Sequence, residues 1–287
     1  MWKDLKVPPE TLRLSMVLPT GQLFTWKETK SGTWMGVIRS LIVECKETPT
    51  TTKYRIINLD NPLNNKLSEE FIHSLVTHLF NLQVDTMHVI ESFKDDRLVK
   101  LHEKYKGLRV LQQDPVECIF SFICSANNNI KRITKMIQSL KEEAGIPLGN
   151  GWYQFPELYK LANLKTETLR KLGFGFRASR IPHAAKQILD RGGVEWLHQL
   201  KKLPLEDCRN ELIQLSGVGP KIADCICLYS LGFINCVPLD VHILRVSSKY
   251  VPKGINGYNN IQKQLEKRFG PYAGWAQCLL YLEQISK

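Results

Sequence analysis

The chain has 287 residues, with 39 Lys and Arg against 28 Asp and Glu, a formal net charge of +11 and 43% hydrophobic residues. That length buries a substantial core as one large or two modest domains, and the charge suits a polyanionic partner through counterion release, although ribosomal and membrane-surface proteins share it. No apolar run approaches the ~20 residues of a membrane span, and Met1-Trp2-Lys3-Asp4 begins no signal peptide, so a soluble intracellular protein is expected.

Up to about residue 60 the pattern is short and β-like. Strands are expected at Leu12-Leu14-Met16-Leu18, Gln22 to Trp26, Thr33 to Ile38, Leu41 to Val43 and Tyr54 to Ile57, separated by turn signals at Pro19-Thr20-Gly21 and Ser31-Gly32. Helical periods take over near Ser68, and the charged stretch from Lys94 to Tyr105 still reads as helix. Asp114-Pro115-Val116-Glu117 supplies an N-cap, a proline at the first helical position and a capping-box glutamate. The next helix runs from about Ile130 to Glu143 and stops at Gly145. The class is therefore α+β: an N-terminal antiparallel sheet domain with flanking helices over residues 1–105, then a mainly α-helical domain over 106–287.

Of the eight cysteines, Cys118, Cys124, Cys225, Cys227 and Cys278 sit in apolar helical patterns and are expected as buried free thiols. Cys225-x-Cys227 lacks zinc-ligand spacing. Chemistry concentrates instead in Leu215-Ser216-Gly217-Val218-Gly219-Pro220-Lys221. Gly217 and Gly219 allow a tight turn and close approach of a partner, and Pro220 suits the first helical position. The bare N–H groups of a helix start attract an anion such as a phosphate, while Gly-x-Gly alone is more often the joint of an ordinary helix pair. Lys221 stands in the first turn against the positive end of the helix dipole, and a free amine can form a Schiff base. Asp240, before the next helical pattern, reads as a plain N-cap or as a catalytic carboxylate, and the two roles are compatible.

The string LSGVGPKIADCICLYSLGFINCVPLDVHI resembles the helix-hairpin-helix Gly/Pro-Asp signature of base-excision DNA glycosylases. Three further segments, Gln113 to Ile130, Leu169 to Arg177 and Gly270-Pro271-Tyr272-Ala273-Gly274-Trp275-Ala276-Gln277, are similar to the eukaryotic-type 8-oxoguanine DNA glycosylase/AP lyase family. The chain lacks the C-terminal four-cysteine cluster of the iron-sulfur branch. The resemblance implies a bifunctional repair enzyme acting on double-stranded DNA that carries 8-oxoguanine opposite cytosine, as a monomer in the nucleus, with a mitochondrial pool as an open addition. It requires no cofactor. A structural monovalent cation or Ca²⁺ is implied at the Ile213, Leu215 and Val218 carbonyls.

By the same resemblance Lys221 is the nucleophile and Asp240 the stabiliser of positive charge on the sugar. The Gln277 amide meets the Watson-Crick edge of the extruded base, with Tyr281 and Cys225 on its two ring faces. The Gly21 carbonyl accepts the N7 proton that distinguishes the lesion from guanine, although Gly21 is equally a turn glycine. Asn127, Arg132 and Arg177 face the opposite cytosine, Phe176 wedges the stack where the family usually has tyrosine, and His242 joins Gly217 and Gly219 on the DNA phosphates. From the residues alone, two of the three asparagines in Asn127-Asn128-Asn129 are turn and cap residues, and Gln277 and Tyr281, four apart on a helix, share one face. Two other readings stand beside this one: a sister glycosylase for other damaged bases, and a non-catalytic helix-hairpin-helix DNA-binding module.

Overall fold

The computed structural model describes residues 1–286. Strands β1 (Lys3–Asp4), β2 (Lys27–Glu28), β3 (Trp34–Ile38), β4 (Leu41–Glu47) and β5 (Thr52–Ile56) form an antiparallel sheet in the order β1-β5-β4-β3-β2. On the central strand β4 the side chains alternate. Leu41, Val43 and Cys45 face a core shared with Trp34, Tyr54, Leu14, Val17, Ile72, Val76 and Phe80. Ile42 faces the other way and meets Val37 and Leu148, the last from the hairpin of β6 (Pro147–Gly149) and β7 (Trp152–Tyr153). Both faces of the sheet are thus covered.

Two expected strands are not formed. Leu12 to Leu18 holds a helical turn, α1 (Leu14–Val17), followed by a 3-10 turn at Leu18–Thr20. Leu14, Val17 and Leu18 are all buried, and their i, i+3, i+4 spacing suits one helical face as well as the alternation suited a strand. Gln22 to Trp26 is an irregular segment with every residue buried, and only Lys27–Glu28 beyond it joins the sheet.

Helices α2 (Glu69–Leu79), α3 (Thr86–Glu91) and α4 (Asp96–Lys104) close the N-terminal part. Ser68 caps α2, its hydroxyl accepting from the Phe71 amide at 3.1 Å. The chain continues through α5 (Pro115–Ser125), α6 (Ile130–Ala144), α7 (Leu158–Ala162), α8 (Thr166–Lys171), α9 (Arg180–Asp190), α10 (Val194–Leu200) and α11 (Leu205–Ile213). It ends with α12 (Pro220–Tyr229), α13 (Val241–Ser247), α14 (Tyr258–Phe269) and α15 (Ala273–Ile285). Asp114 caps α5 as expected, accepting from the Val116 and Glu117 amides at 2.9 and 3.1 Å. Glu117 does not reach back to complete a capping box. Its carboxyl accepts the Thr25 hydroxyl at 2.7 Å, and burial raises its pKa although Lys141 opposes the shift.

Val89, Phe93, Leu98, Leu101 and Tyr105 precede the boundary expected at residue 105, yet they pack in one core with α5, α12 and α15. Helix α5 is buried on nearly every side and stands at the centre of that core. Against it lies α12, and α15 is drawn close to the α12–α13 connection at Gly274. The Gly274 amide donates to the Ile234 carbonyl at 2.9 Å, and a Cβ there would stand 2.3 Å from Leu228 Cδ1 and 2.8 Å from the same carbonyl. Gly274→Ala is therefore expected to cost about 1–3 kcal/mol through overpacking, measured as a lower melting temperature.

Candidate active site

Five separate parts of the chain meet at one cleft. Thr20 and Gly21 come from the end of the 3-10 turn, Phe122 from α5, Lys221, Cys225 and Tyr229 from α12, Pro238 and Asp240 from the connection to α13, and Gln277 and Tyr281 from α15. The free space is about 50 Å³, room for a few waters at most. A cavity of about 420 Å³ lies elsewhere, lined by Phe155, Leu158 and Tyr159 among others, and it holds none of the expected catalytic side chains.

Lys221 is the second residue of α12, whose first is Pro220. The amine stands 5.3 Å from the centre of the Phe122 ring, and that ring stacks on Tyr229 with centroids 5.7 Å apart. One wall of the site is therefore aromatic. The Lys221 amine makes no ion pair with Asp240, although both border the same cleft. Asp240 caps α13, its Oδ1 accepting from the His242 and Ile243 amides at 2.9 and 2.8 Å, while the carboxylate also borders the cleft. The cap holds that carboxylate in place at the cleft, a geometry compatible with a catalytic role.

Burial pushes the Cys225 thiol up to about 12, with Lys221 pulling the other way. It offers a neutral apolar sulfur to the cleft. Tyr281 is pushed up to about 12 by burial and by the Asp240 charge, and its ring meets His242 edge-on at 5.5 Å. Gln277 is 4% exposed, and its Oε1 accepts from the Cys278 thiol at 3.4 Å. Gly21 takes a left-handed backbone, φ +77°, and a Cβ there would lie 3.3 Å from Ile130. Both features favour glycine.

Helix α12 and the residues leading to Asp240 are held together by buried charge. Asp224, one turn after Lys221, accepts Arg209 Nε at 2.6 Å and takes the Tyr258 hydroxyl and Gln262 Nε2 at 2.6 and 2.7 Å on its other oxygen. Tyr258 in turn accepts the Leu239 amide at 3.1 Å, and Gln262 donates to the Val237 carbonyl at 2.9 Å. Arg209 also pairs with Glu266. Burial works against the Arg209 charge, but Cys236, Asp224 and Glu266 outweigh it and hold its pKa above the ordinary value.

In the hairpin itself the two glycines differ. Gly217 has φ +86°, and a Cβ on it would meet Arg180 at 3.0 Å. Gly219 is extended, φ −101° and ψ −180°, with nothing within 4 Å of a would-be Cβ. Its backbone is open to approach from outside. The Leu215 carbonyl accepts the Val218 amide at 3.0 Å, which leaves one of its lone pairs free. Among the described residues no cluster of three or more His, Cys, Asp or Glu side chains is arranged to hold a metal.

A second group gathers at the α5–α6 turn. Asn128 donates to the Cys124 carbonyl at 3.0 Å and Asn129 caps α6 by accepting the Arg132 amide at 3.0 Å. Asn127 is left exposed in a left-handed conformation, φ 48°. Arg132 is exposed beside it, within 3.5 Å of the Gly173 carbonyl. Arg177 is only 2% exposed, its guanidinium bonded to the Ala126 and Asn127 carbonyls and its Nε without a partner. Phe176 is 50% exposed, with the Arg177 and Arg180 guanidinium carbons 4.2 and 4.7 Å from its ring centre. The wedge candidate thus has two cations against its ring.

Sequence reasoning missed Phe122, Tyr229, Thr20, Pro238 and Arg180. The first two looked like ordinary apolar core positions. Arg180 was visible as a cation three residues after Arg177 on the segment leading into α9.

Residues 120–271 match the family described as "HhH-GPD superfamily base excision DNA repair protein", and residues 4–119 match "8-oxoguanine DNA glycosylase, N-terminal domain". The N-glycosylase/DNA lyase OGG1 of Arabidopsis thaliana is 34% identical over 99% of this chain and 80% of its own length. The N-glycosylase/DNA lyase of Saccharomyces cerevisiae is 31% identical over 98% of this chain and 85% of its own. Among solved structures, MBOgg1 in complex with a low-affinity DNA ligand superposes with a TM-score of 0.86 at 30% identity, covering 98% of this chain and 95% of that one. The Clostridium acetobutylicum 8-oxoguanine glycosylase/lyase, bound to double-stranded DNA with cytosine opposite 8-oxoG, also gives 0.86, at 26% identity over 100% of this chain and 98% of that one. The chain belongs to the 8-oxoguanine DNA glycosylase family of the HhH-GPD superfamily.

Two outcomes follow for the site. Asp224→Ala leaves Arg209 buried with one fewer anion and is expected to cost about 3–5 kcal/mol, seen in denaturant unfolding. With its proton held up to about 12, Cys225 should resist iodoacetamide at pH 8 in the folded protein and react after denaturation, as mass spectrometry of the alkylated peptides would show.

Proposed function

We propose that the protein is a bifunctional DNA glycosylase/AP lyase that removes 8-oxoguanine paired with cytosine and then nicks the strand. The observation that carries the reading is the convergence on one cleft of an amine, Lys221, and a separately anchored carboxylate, Asp240, beside the polar and flat side chains of Gln277, Tyr281 and Cys225. A base inside a duplex cannot be reached there, so it must be extruded. The exposed Phe176 ring supports a wedge in the gap, and the exposed Asn127 and Arg132 supply donors for the edge of the unpaired cytosine, with the buried Arg177 guanidinium behind them on the Ala126 and Asn127 carbonyls. The open backbone at Gly219 and the net charge of +11 support phosphate contact and general affinity for DNA.

The chemistry follows from this placement. The Lys221 lone pair attacks C1′, the C1′–N9 bond breaks, and the base leaves with a proton. Positive charge on the sugar during this step is met by the Asp240 carboxylate in a site with little solvent screening. Ring opening gives the Schiff base, and loss of a C2′ proton expels the 3′ phosphate in β-elimination. Selection of the lesion rests on the Gly21 carbonyl: an acceptor pairs with the N7–H of 8-oxoguanine and leaves guanine, whose N7 is itself an acceptor, facing an unmet group at a cost of about 1–3 kcal/mol.

Lys221→Gln is expected to lower base release roughly 10³-fold or more while binding to the damaged duplex persists, and borohydride trapping on an 8-oxoguanine:cytosine duplex should lose its covalent adduct. Full activity in that variant would remove the nucleophile. Asp240→Asn keeps a capping side chain and is expected to slow release about 10²- to 10³-fold with the melting temperature little changed. Replacing the opposite cytosine by adenine should reduce single-turnover excision, and equal rates would rule out base reading by Asn127, Arg132 and Arg177.

A further inference from the structure

The Gly21 carbonyl belongs to the peptide plane that ends at the Cα of Gln22, and Gln22 is 3% exposed with both ends of its side chain engaged. Its Nε2 donates to the Arg109 carbonyl at 2.9 Å, and its Oε1 accepts the Leu111 amide at 3.0 Å. The Gln22 carbonyl accepts Gln113 Nε2 at 2.7 Å. Gln22 is thus held at three points by residues 109–113, which join no strand of either sheet.

That same segment is tied to the far end of the lysine-bearing helix. Gln113 donates its amide to the Tyr229 carbonyl at 2.7 Å and accepts the Ser230 hydroxyl at 2.9 Å. Gln112 Nε2 donates to the Leu228 carbonyl at 3.0 Å. On the other side of Gly21, the Thr20 hydroxyl donates to the Val17 carbonyl at 2.7 Å. Among the described residues no donor bonds the Gly21 carbonyl itself. Gly21 borders the cleft, and its carbonyl is an acceptor with its capacity in hand.

We infer that Gln22 and Gln113 are positioning residues for lesion recognition, acting together as a side-chain brace that fixes the Gly21 peptide relative to α12. The inference rests on the assignment of the Gly21 carbonyl as acceptor for the N7 proton. Glycine is the residue most able to swing its peptide, while one hydrogen bond discriminates only if its distance and angle are fixed. The sequence places a glycine where the backbone must be left-handed and a buried glutamine immediately after it to remove the resulting freedom. Gln113 keeps its Oε1 buried and without a partner, an unfavourable state whose return is the donor it gives to the Gln22 carbonyl.

Two activities of the one protein separate this role from plain stability. Excision of 8-oxoguanine needs the Gly21 carbonyl, whereas cleavage at a ready-made abasic site has no base to read. Gln22→Met removes both side-chain bonds at nearly constant volume, and Gln113→Met removes only the bond to the Gln22 carbonyl, a milder change that keeps the test open if the first variant folds poorly. In both, the ratio of 8-oxoguanine excision to abasic-site cleavage is expected to fall roughly tenfold. Asn64→Ala, which deletes buried amide bonds beside the sheet, should lower the melting temperature without moving that ratio.

A ratio equal to wild type in both glutamine variants would overturn the brace. Failure of the underlying assignment shows differently: wild-type protein would then excise 8-oxoguanine and 8-methoxyguanine, which has no proton on N7, at equal rates.

Discussion

The carboxylate of Asp224 is the point on which the site depends. It lies inside α12, three residues after Lys221, and binds Arg209 of α11 together with Tyr258 and Gln262 of α14. Those last two hold the backbone at Val237 and Leu239, immediately before Asp240. One buried anion thereby sets the lysine helix and the aspartate cap in a common frame. A buried ion pair contributes little net stability, but removal of one partner is costly, so the network resists drift more than it adds to folding. The chemistry gains an amine and a carboxylate held at one cleft by separate anchors.

Around that frame the remaining walls are added by backbone approach. Helix α15 carries Gln277 and Tyr281 and comes within reach because Gly274 has no side chain to hold it off. The N-terminal part contributes only the short stretch at Thr20 and Gly21, yet the next residue, Gln22, is clamped to the helical part by hydrogen bonds with residues 109–113. Side chains from both halves of the chain therefore build one cleft, and the core continues across residue 105.

Helix starts were plain in the sequence because their signals are local: Ser68, Asp114 and Asn129 each bond amides two or three residues ahead. The strands from Trp34 to Ile56 were equally plain from alternation and turns. The stretch from Leu12 to Trp26 was not, since Leu14, Val17 and Leu18 satisfy two periodicities and the fully buried run after them has none. At the site, Lys221 and Asp240 stood out by residue type against helix starts, and the family resemblance supplied partners for them. Nothing local marks Phe122 or Tyr229 as cleft walls, and the Asp224 network joins residues far apart in the chain. Such contacts exist only once the fold has brought distant segments together.

All eight cysteines are free and buried, and burial raises the thiol pKa at Cys45, Cys118, Cys124 and Cys225. Peroxides react with thiolates and reach them from solvent. A repair enzyme whose substrate forms under oxidative attack meets those reagents when demand for it is greatest. At those four positions the fold keeps the sulfur protonated and buried, which lowers its reactivity toward the oxidants that damage the DNA.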